Sequence, residues 1–510
     1  MNNQSMPQFP ESYWLHNLDL PTFPKLQGDT NVEVAVVGAG MTGMTAAYLL
    51  AKEGRKVALI EAGKVFNGTS GHTTAKVTTQ HGLIYDELIS HFGEEKARLY
   101  YQANDQALQF IKNIVREHQI DCDFSEEDAY IYTNSSQKMQ SLIDEYEAYQ
   151  KLGIKNTEYL SEIEILVEHK AAIAMRSQAQ FHPLKYLKHL SEEFTKLGGQ
   201  IFEHTTAVDI EEGNEPVVTT RDGHKVYCQQ MIIASHFPFY DTKGFYFSRL
   251  EPSRSYVLAV KPEKKFPGGM YINAEKPTRS LRSAAFNGEH LILFGGHEHH
   301  TGKEKNTHQY YEALEAFARE TYGISQIPYR WSAQDPISLD KLPFVGRYSP
   351  TVDNIYVATG YRKWGMTNST NAALLLTDRI MGRDNPFTEL FDPNRFHADP
   401  DVKKFISMNA VVAKDLIKSK LDRPSTDPQS LKNDEGAAVM INGERAGAYR
   451  DENGVLHLVD TTCTHMGCEL EWNNGERSWD CPCHGSRFSY KGEVMEGPAE
   501  LPLKNLSENS

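Results

Sequence analysis

Residues 32–61, VEVAVVGAGMTGMTAAYLLAKEGRKVALIE, run as an apolar strand, a glycine-rich turn, a helix and a second apolar strand. That order is a βαβ unit, and it commits the surrounding chain to an α/β domain. Gly38, Gly40 and Gly43 form a G-x-G-x-x-G. The first glycine makes the tight turn, the second lets the backbone approach a pyrophosphate, and the third lets helix and strand pack closely. The phosphates would rest on the helix N-terminus, where unpaired N–H groups and the helix dipole favour anions. Glu61 ends the second strand, 18 residues after Gly43, where a carboxylate can accept hydrogen bonds from ribose hydroxyls. No second G-x-G-x-x-G follows, which argues against two dinucleotide domains of this kind in one chain.

Between Asn31 and Ile380 strand-like runs (VEVAVVG, KVALIEA, QMIIAS, HLILFGG, NIYVATG) alternate with helical ones (Ile84 to Glu117, Pro183 to Leu197, Gln309 to Tyr322, Thr370 to Ile380). The pattern then weakens. A helix is expected over Val402 to Lys418, followed by a linker rich in Pro, Ser, Asp and Lys. Residues 431–510 are short strand-like runs separated by Gly, Asn and Asp turns, which describes a small all-β module. This gives an N-terminal extension (1–30), an α/β body (31–383), a helix and linker (384–430) and the β module (431–510). The net charge of −15 makes nucleic acid an improbable partner. The uncharged stretch Val34 to Ala51 has three glycines in its first ten residues, so membrane insertion is not expected. The opening MNNQSMPQFPESYWL lacks a basic run followed by an apolar core, and a cytoplasmic location is the default expectation.

Six cysteines are spread unevenly: Cys122 and Cys228 stand alone, and Cys463, Cys468, Cys481 and Cys483 fall within 21 residues. CTHMGC and CPCHGS contribute C-x-H and C-x-x-H, with 15 residues between His465 and Cys481. Thiolates suit iron–sulfur clusters, and two imidazoles can replace two thiolates on one iron. Cys463 and Cys481 on one iron with His465 and His484 on the other make a Rieske [2Fe–2S] centre. Zinc fits less well, because zinc fingers segregate a Cys pair from a His pair and each half here mixes them. The histidines of GGHEHHTG (His297, His299, His300) lack a carboxylate or Cys at matching spacing and read as a histidine-rich loop.

The βαβ unit, the GTSGHTTAKVT segment and the run DKLPFVGRYSPTVDNIYVATGYRKWGMT together resemble the glycine and D-amino-acid oxidase type of FAD-dependent oxidoreductase, over residues 31–382. The resemblance implies an FAD-binding Rossmann-like domain with an interleaved α+β substrate domain. It implicates Thr69 and Ser70 at the pyrophosphate, Val208 at the adenine, and the turn Gly360 to Thr367, with Gly365 and Met366, at the isoalloxazine ring. It departs from the family at IIASHFP, where Ala-x-Gly is usual. A substrate carboxylate would be held by cations or a tyrosine, for which Arg362, Lys363, Tyr256, Arg279 and Arg282 are candidates; an arginine fork can bind both oxygens. His72 lies near the flavin loop and reads as a loop histidine.

The tail motifs resemble the Rieske proteins of cytochrome bc-type complexes. That resemblance implies a disulfide between Cys468 and Cys483, a hydroxyl donor to a cluster sulfur at Ser486, and a covering proline loop at GPAELPL (Gly497 to Leu503). Phe488 stands where high-potential members have a tyrosine, so a potential below the top of the roughly −150 to +300 mV Rieske range is expected. The expected function is oxidation of an amine or amino acid by FAD, with electrons passed to the cluster and on to an unknown acceptor. The alternative is a non-catalytic electron-transfer or redox-sensing protein.

Overall fold

The structure is a computed structural model that describes residues 6–395, 404–410, 412, 416 and 423–506. Strands Val34–Val37 and Val57–Ile60 are buried along their whole length and pair in parallel. Such two-faced burial explains why both read as unbroken apolar runs. Helix Met41–Lys52 connects them, buried at ten of its twelve positions. The sheet continues to six strands in the order Phe344–Ser349, Val352–Thr359, Gln230–Ile233, Val34–Val37, Val57–Ile60, Gln200–Phe202, with the first antiparallel to its neighbour. Helix Gly365–Ile380 packs against Met41–Lys52 and starts five residues before the expected Thr370.

A nine-stranded sheet forms the second layer, built on the long antiparallel strands Leu250–Lys261, Gln326–Ser338, Glu289–His300 and Arg279–Phe286. Tyr85–His118 is helical with a break at Gly93, whose φ of +82° a side chain would strain. Helices Pro183–Lys196 and His308–Thr321 lie within one residue of expectation. His297, His299 and His300 are the end of strand Glu289–His300, which corrects the loop expectation. Among the described residues no helix is long and apolar enough to cross a membrane. Of the helix expected over Val402 to Lys418, residues 404–410 are helical, and most of the rest, with much of the linker, lies outside the described residues.

The C-terminal module has a three-stranded sheet (Glu435–Ile441, Glu444–Arg450, Leu456–Asp460) and a four-stranded one (Glu471–Asn473, Ser478–Asp480, Arg487–Ser489, Val494–Glu496). It sits against the nine-stranded sheet. Arg330, 1% exposed, donates from Nη1 to the Gly475 carbonyl (2.7 Å) and from Nε and Nη2 to the carbonyls of Pro7 and Gln8. The N-terminal extension is thereby clamped between body and module, and Arg477 completes the clamp by donating to Gln8 O at 2.5 Å.

Candidate functional site

A cavity of about 760 Å³ opens at the glycine turn, within the range of small-molecule sites. Gly38 has φ +106°, and a Cβ there would strike the Ala234 carbonyl; a Cβ on Gly43 would overlap the Gly38 carbonyl. Both glycines are therefore required by close backbone approach. Ser70 Oγ accepts from Met41 N–H (2.9 Å) at the helix N-terminus, and Gly40, Thr69 and Ser70 line the cavity. Glu61 also lines it, accepting from Ala39 and Gly63 N–H at 2.9 Å each. Gly365 and Met366 form part of the wall; Gly360 and Val208 do not, and Tyr361, Thr206 and Ala207 take their places. The IIASHFP departure is accommodated, since Ala234 through Phe237 line the cavity. A helix N-terminus, a glycine turn whose close backbone approach admits no Cβ at Gly38 or Gly43, and an acid at the strand end together suit a dinucleotide.

The expected substrate cations divide. Lys363 lines the cavity, pairs with Glu298 (3.0 Å) and is pulled down to about 8, chiefly by burial. Tyr256 lines it too, fully buried, its hydroxyl donating to His299 Nε2 (2.9 Å) while His299 Nδ1 donates to the His300 carbonyl. Arg282, Arg279 and Arg362 do not line the cavity. Arg282 is 3% exposed and donates to the carbonyls of Ser283, Thr74, Ala75 and Phe181, so it ties strands together. Arg362 donates to the His81 carbonyl (2.9 Å), and Arg279 lies over the Phe317 ring. The sequence reading missed Lys76. It lines the cavity beside Thr74, donates to the Tyr271 carbonyl (3.0 Å), and has no carboxylate in ion-pair reach among the described residues. Burial, aided by Arg282, pulls it down to about 7. Its place within the GTSGHTTAKVT segment was the available signal.

In the C-terminal module Cys468 and Cys483 form a disulfide that joins the two motif loops, leaving Cys463 and Cys481 as free, buried thiols. Their mutual hydrogen bond pulls Cys463 to about 7 and pushes Cys481 up. The His465 and His484 rings are 5.1 Å apart at 88°, and the Nδ1 of each is buried without a partner. Buried imidazole nitrogens lacking a partner are costly unless something binds there. Two thiols and two orphaned nitrogens are the donor set of a Rieske cluster, and these residues fit it. Ser486 hydrogen-bonds toward Cys463, and its oxygen accepts from Ala499 N–H (3.0 Å). Thr464 donates to the Leu501 carbonyl (2.7 Å), so the Gly497 to Leu503 segment is tied to both cluster loops.

The two sites adjoin. Residues 494–500 line the dinucleotide cavity together with Glu476 and Arg487 of the same module. Glu496 bridges the halves: one carboxylate oxygen is 2.6 Å from buried Arg254 and the other 3.1 Å from Arg487, which also pairs with Asp480 (3.1 Å). Burial opposes ionisation of Glu496, yet the two guanidiniums hold it at about 2. His300 Nε2 donates to the Pro482 carbonyl (3.0 Å), and the Phe247 ring lies 5.4 Å from that of His484. These contacts place the histidine-rich strand at the junction.

Comparison with known proteins agrees with both halves. The family model for FAD-dependent oxidoreductases (DAO) matches residues 33–379, and that for the Rieske [2Fe-2S] domain matches residues 424–507. The chain is 52% identical over 505 residues, 99% of each chain, to YhfW of Bacillus subtilis (strain 168), by name a Rieske 2Fe-2S iron-sulfur protein. It is 22% identical to gamma-glutamylputrescine oxidoreductase of Escherichia coli (strain K12) over 71% of this chain and 86% of that one. The crystal structure of glycine oxidase from Geobacillus kaustophilus superposes with a TM-score of 0.60 at 18% identity, covering 72% of this chain and 99% of that one. The body binds FAD and the C-terminal module a [2Fe–2S] cluster. The chain belongs to the DAO family of FAD-dependent oxidoreductases and carries a Rieske domain at its C-terminus.

Proposed function

We propose that this oxidoreductase oxidises the C–N bond of an amine or amino acid and that the electrons leave through the Rieske cluster to an external one-electron acceptor. One observation carries the reading: residues 494–500 of the cluster domain are wall residues of the dinucleotide cavity. The amine class is supported by the gamma-glutamylputrescine oxidoreductase relative and the glycine oxidase fold. Bound FAD supplies the two-electron acceptor for substrate and a route to one-electron chemistry. The chain's own residues supply the rest. The helix N-terminus at Met41 receives the pyrophosphate, and Glu61 the ribose. Lys363 and Lys76 present ammonium groups to an anionic part of the substrate. Tyr256, fixed by His299, forms part of the cavity wall. Asp335, buried beside Lys363 and with its carboxyl raised above the usual carboxylate range by that burial, stands in the cavity wall as a proton acceptor.

Anaerobic titration with amino acids and gamma-glutamylated diamines tests this. Bleaching of the flavin band followed by the EPR signal of the reduced cluster is expected. If none of these amines bleaches the band while a reduced protein donor does, the chain is instead an electron-transfer module.

A further inference from the structure

Gln334 is the cavity residue whose side chain hydrogen-bonds the cluster loop, beside Pro252, which packs on it. It lies in strand Gln326–Ser338, 5% exposed, and lines the cavity. Its main-chain carbonyl accepts from His236 Nε2 (2.8 Å) and Thr69 Oγ1 (3.3 Å), both cavity residues. Its side chain points the other way. Nε2 donates to the Gly485 carbonyl (2.9 Å), and Oε1 accepts from Thr301 Oγ1 (2.5 Å). Gly485 follows the ligand His484 and precedes Ser486. With φ +78°, a Cβ at Gly485 would strike Pro252 and approach Gln334 Oε1 to 3.0 Å. The loop is therefore seated as closely as a peptide backbone allows. Two residues on, the Pro336 carbonyl accepts from Arg362 N–H, which joins the same strand to the turn before helix Gly365–Ile380.

We propose that Gln334 is a positioning residue for electron transfer: its amide seats the His484–Gly485 loop against the flavin cavity and thereby sets how fast an electron crosses. This rests on the function proposed above. In the step concerned one electron is lost from reduced flavin and one ferric ion of the cluster becomes ferrous, with no leaving group. A one-electron acceptor must then empty the cluster before the second electron follows. The Gln334 amide is separate from what holds the domains together, because the Arg254–Glu496 pair and the Arg330–Gly475 contact remain without it. Its loss should loosen one loop and leave the domain docked.

The test uses the full-length holoprotein with flavin reduced by a light flash, EDTA serving as the sacrificial electron donor, and cluster reduction followed in the visible spectrum. Gln334→Leu should slow cluster reduction by about tenfold, with FAD content as in the wild type. Amide hydrogen exchange of residues 481–486 should rise, a readout independent of turnover. Thr301→Val, which frees the amide while leaving Gln334 in place, should give a smaller slowing and serves if Gln334→Leu does not fold. Equal cluster-reduction rates in wild type and variant would overturn the role of Gln334 while leaving the proposed function standing. Absence of flavin-to-cluster transfer in the wild type would overturn both.

Discussion

The four residues that fit the cluster, Cys463 to His484, come from two loops within 22 residues, and a disulfide joins those loops locally. The dinucleotide cavity beside it draws wall residues from Pro10 to Glu500, almost the whole chain. The first is assembled wherever its module folds. The second is complete only when body and module are docked. The contrast explains where each can be damaged: locally at the cluster, and from either domain at the flavin.

The largest effects should separate the two sites cleanly. Cys481→Ser should abolish the cluster signal while the flavin band persists, and Gly43→Val, whose side chain would overlap the Gly38 carbonyl, should lose FAD and keep the cluster. Visible spectra and iron content of both variants check this; loss of both cofactors in either would break the contrast. Next comes the bridge between the sites. Glu496→Gln leaves buried Arg254 without its carboxylate partner and should cost about 3 kcal/mol at pH 7, read by denaturant unfolding. The pH dependence has a definite sign. Glu496 titrates at about 2 in the folded protein against an ordinary 4.5, so the unfolded chain binds the extra proton between those values. Its contribution is complete above pH 4.5 and is lost as pH falls toward 2; Glu496→Gln should flatten that part of the profile.

Smaller effects belong to the substrate end of the cavity. Lys363→Met should raise KM for a carboxylate-bearing substrate about tenfold with kcat less affected. Because Lys363 titrates at about 8, wild-type KM should rise above that pH, and Lys363→Arg should move the rise upward. The smallest concerns the cluster: Phe488→Tyr, adding one hydroxyl, should raise its midpoint by roughly 50 mV, the equivalent of one hydrogen bond of about 1 kcal/mol.

Legibility followed the same contrast. The cluster donors could be read because their spacing is short-range and their chemistry specific, and the orphaned Nδ1 atoms of His465 and His484 agree with it. The βαβ unit was readable for the same reason. Lys76, Gln334 and Glu496 were not, since each meets its partners through tertiary pairing that no local pattern encodes. Arg282 and Arg362 misled because a cation's sequence position does not say whether its guanidinium faces a cavity or satisfies carbonyls. Apart from HLILFGG, strands of the nine-stranded sheet were hard to see, because segments such as Ala171–Gln180 are buried on both faces and lose the alternation that marks a strand.

The most direct test of the account is steady-state oxidation of an amine that bleaches the flavin, in wild type and Cys463→Ser, with either ferricyanide-class one-electron acceptors or oxygen. Electron exit through the cluster predicts that Cys463→Ser keeps its flavin and its bleaching by amine but loses turnover with the acceptor that the wild type uses. Unchanged turnover in Cys463→Ser would contradict the account and leave the cluster domain a structural wall.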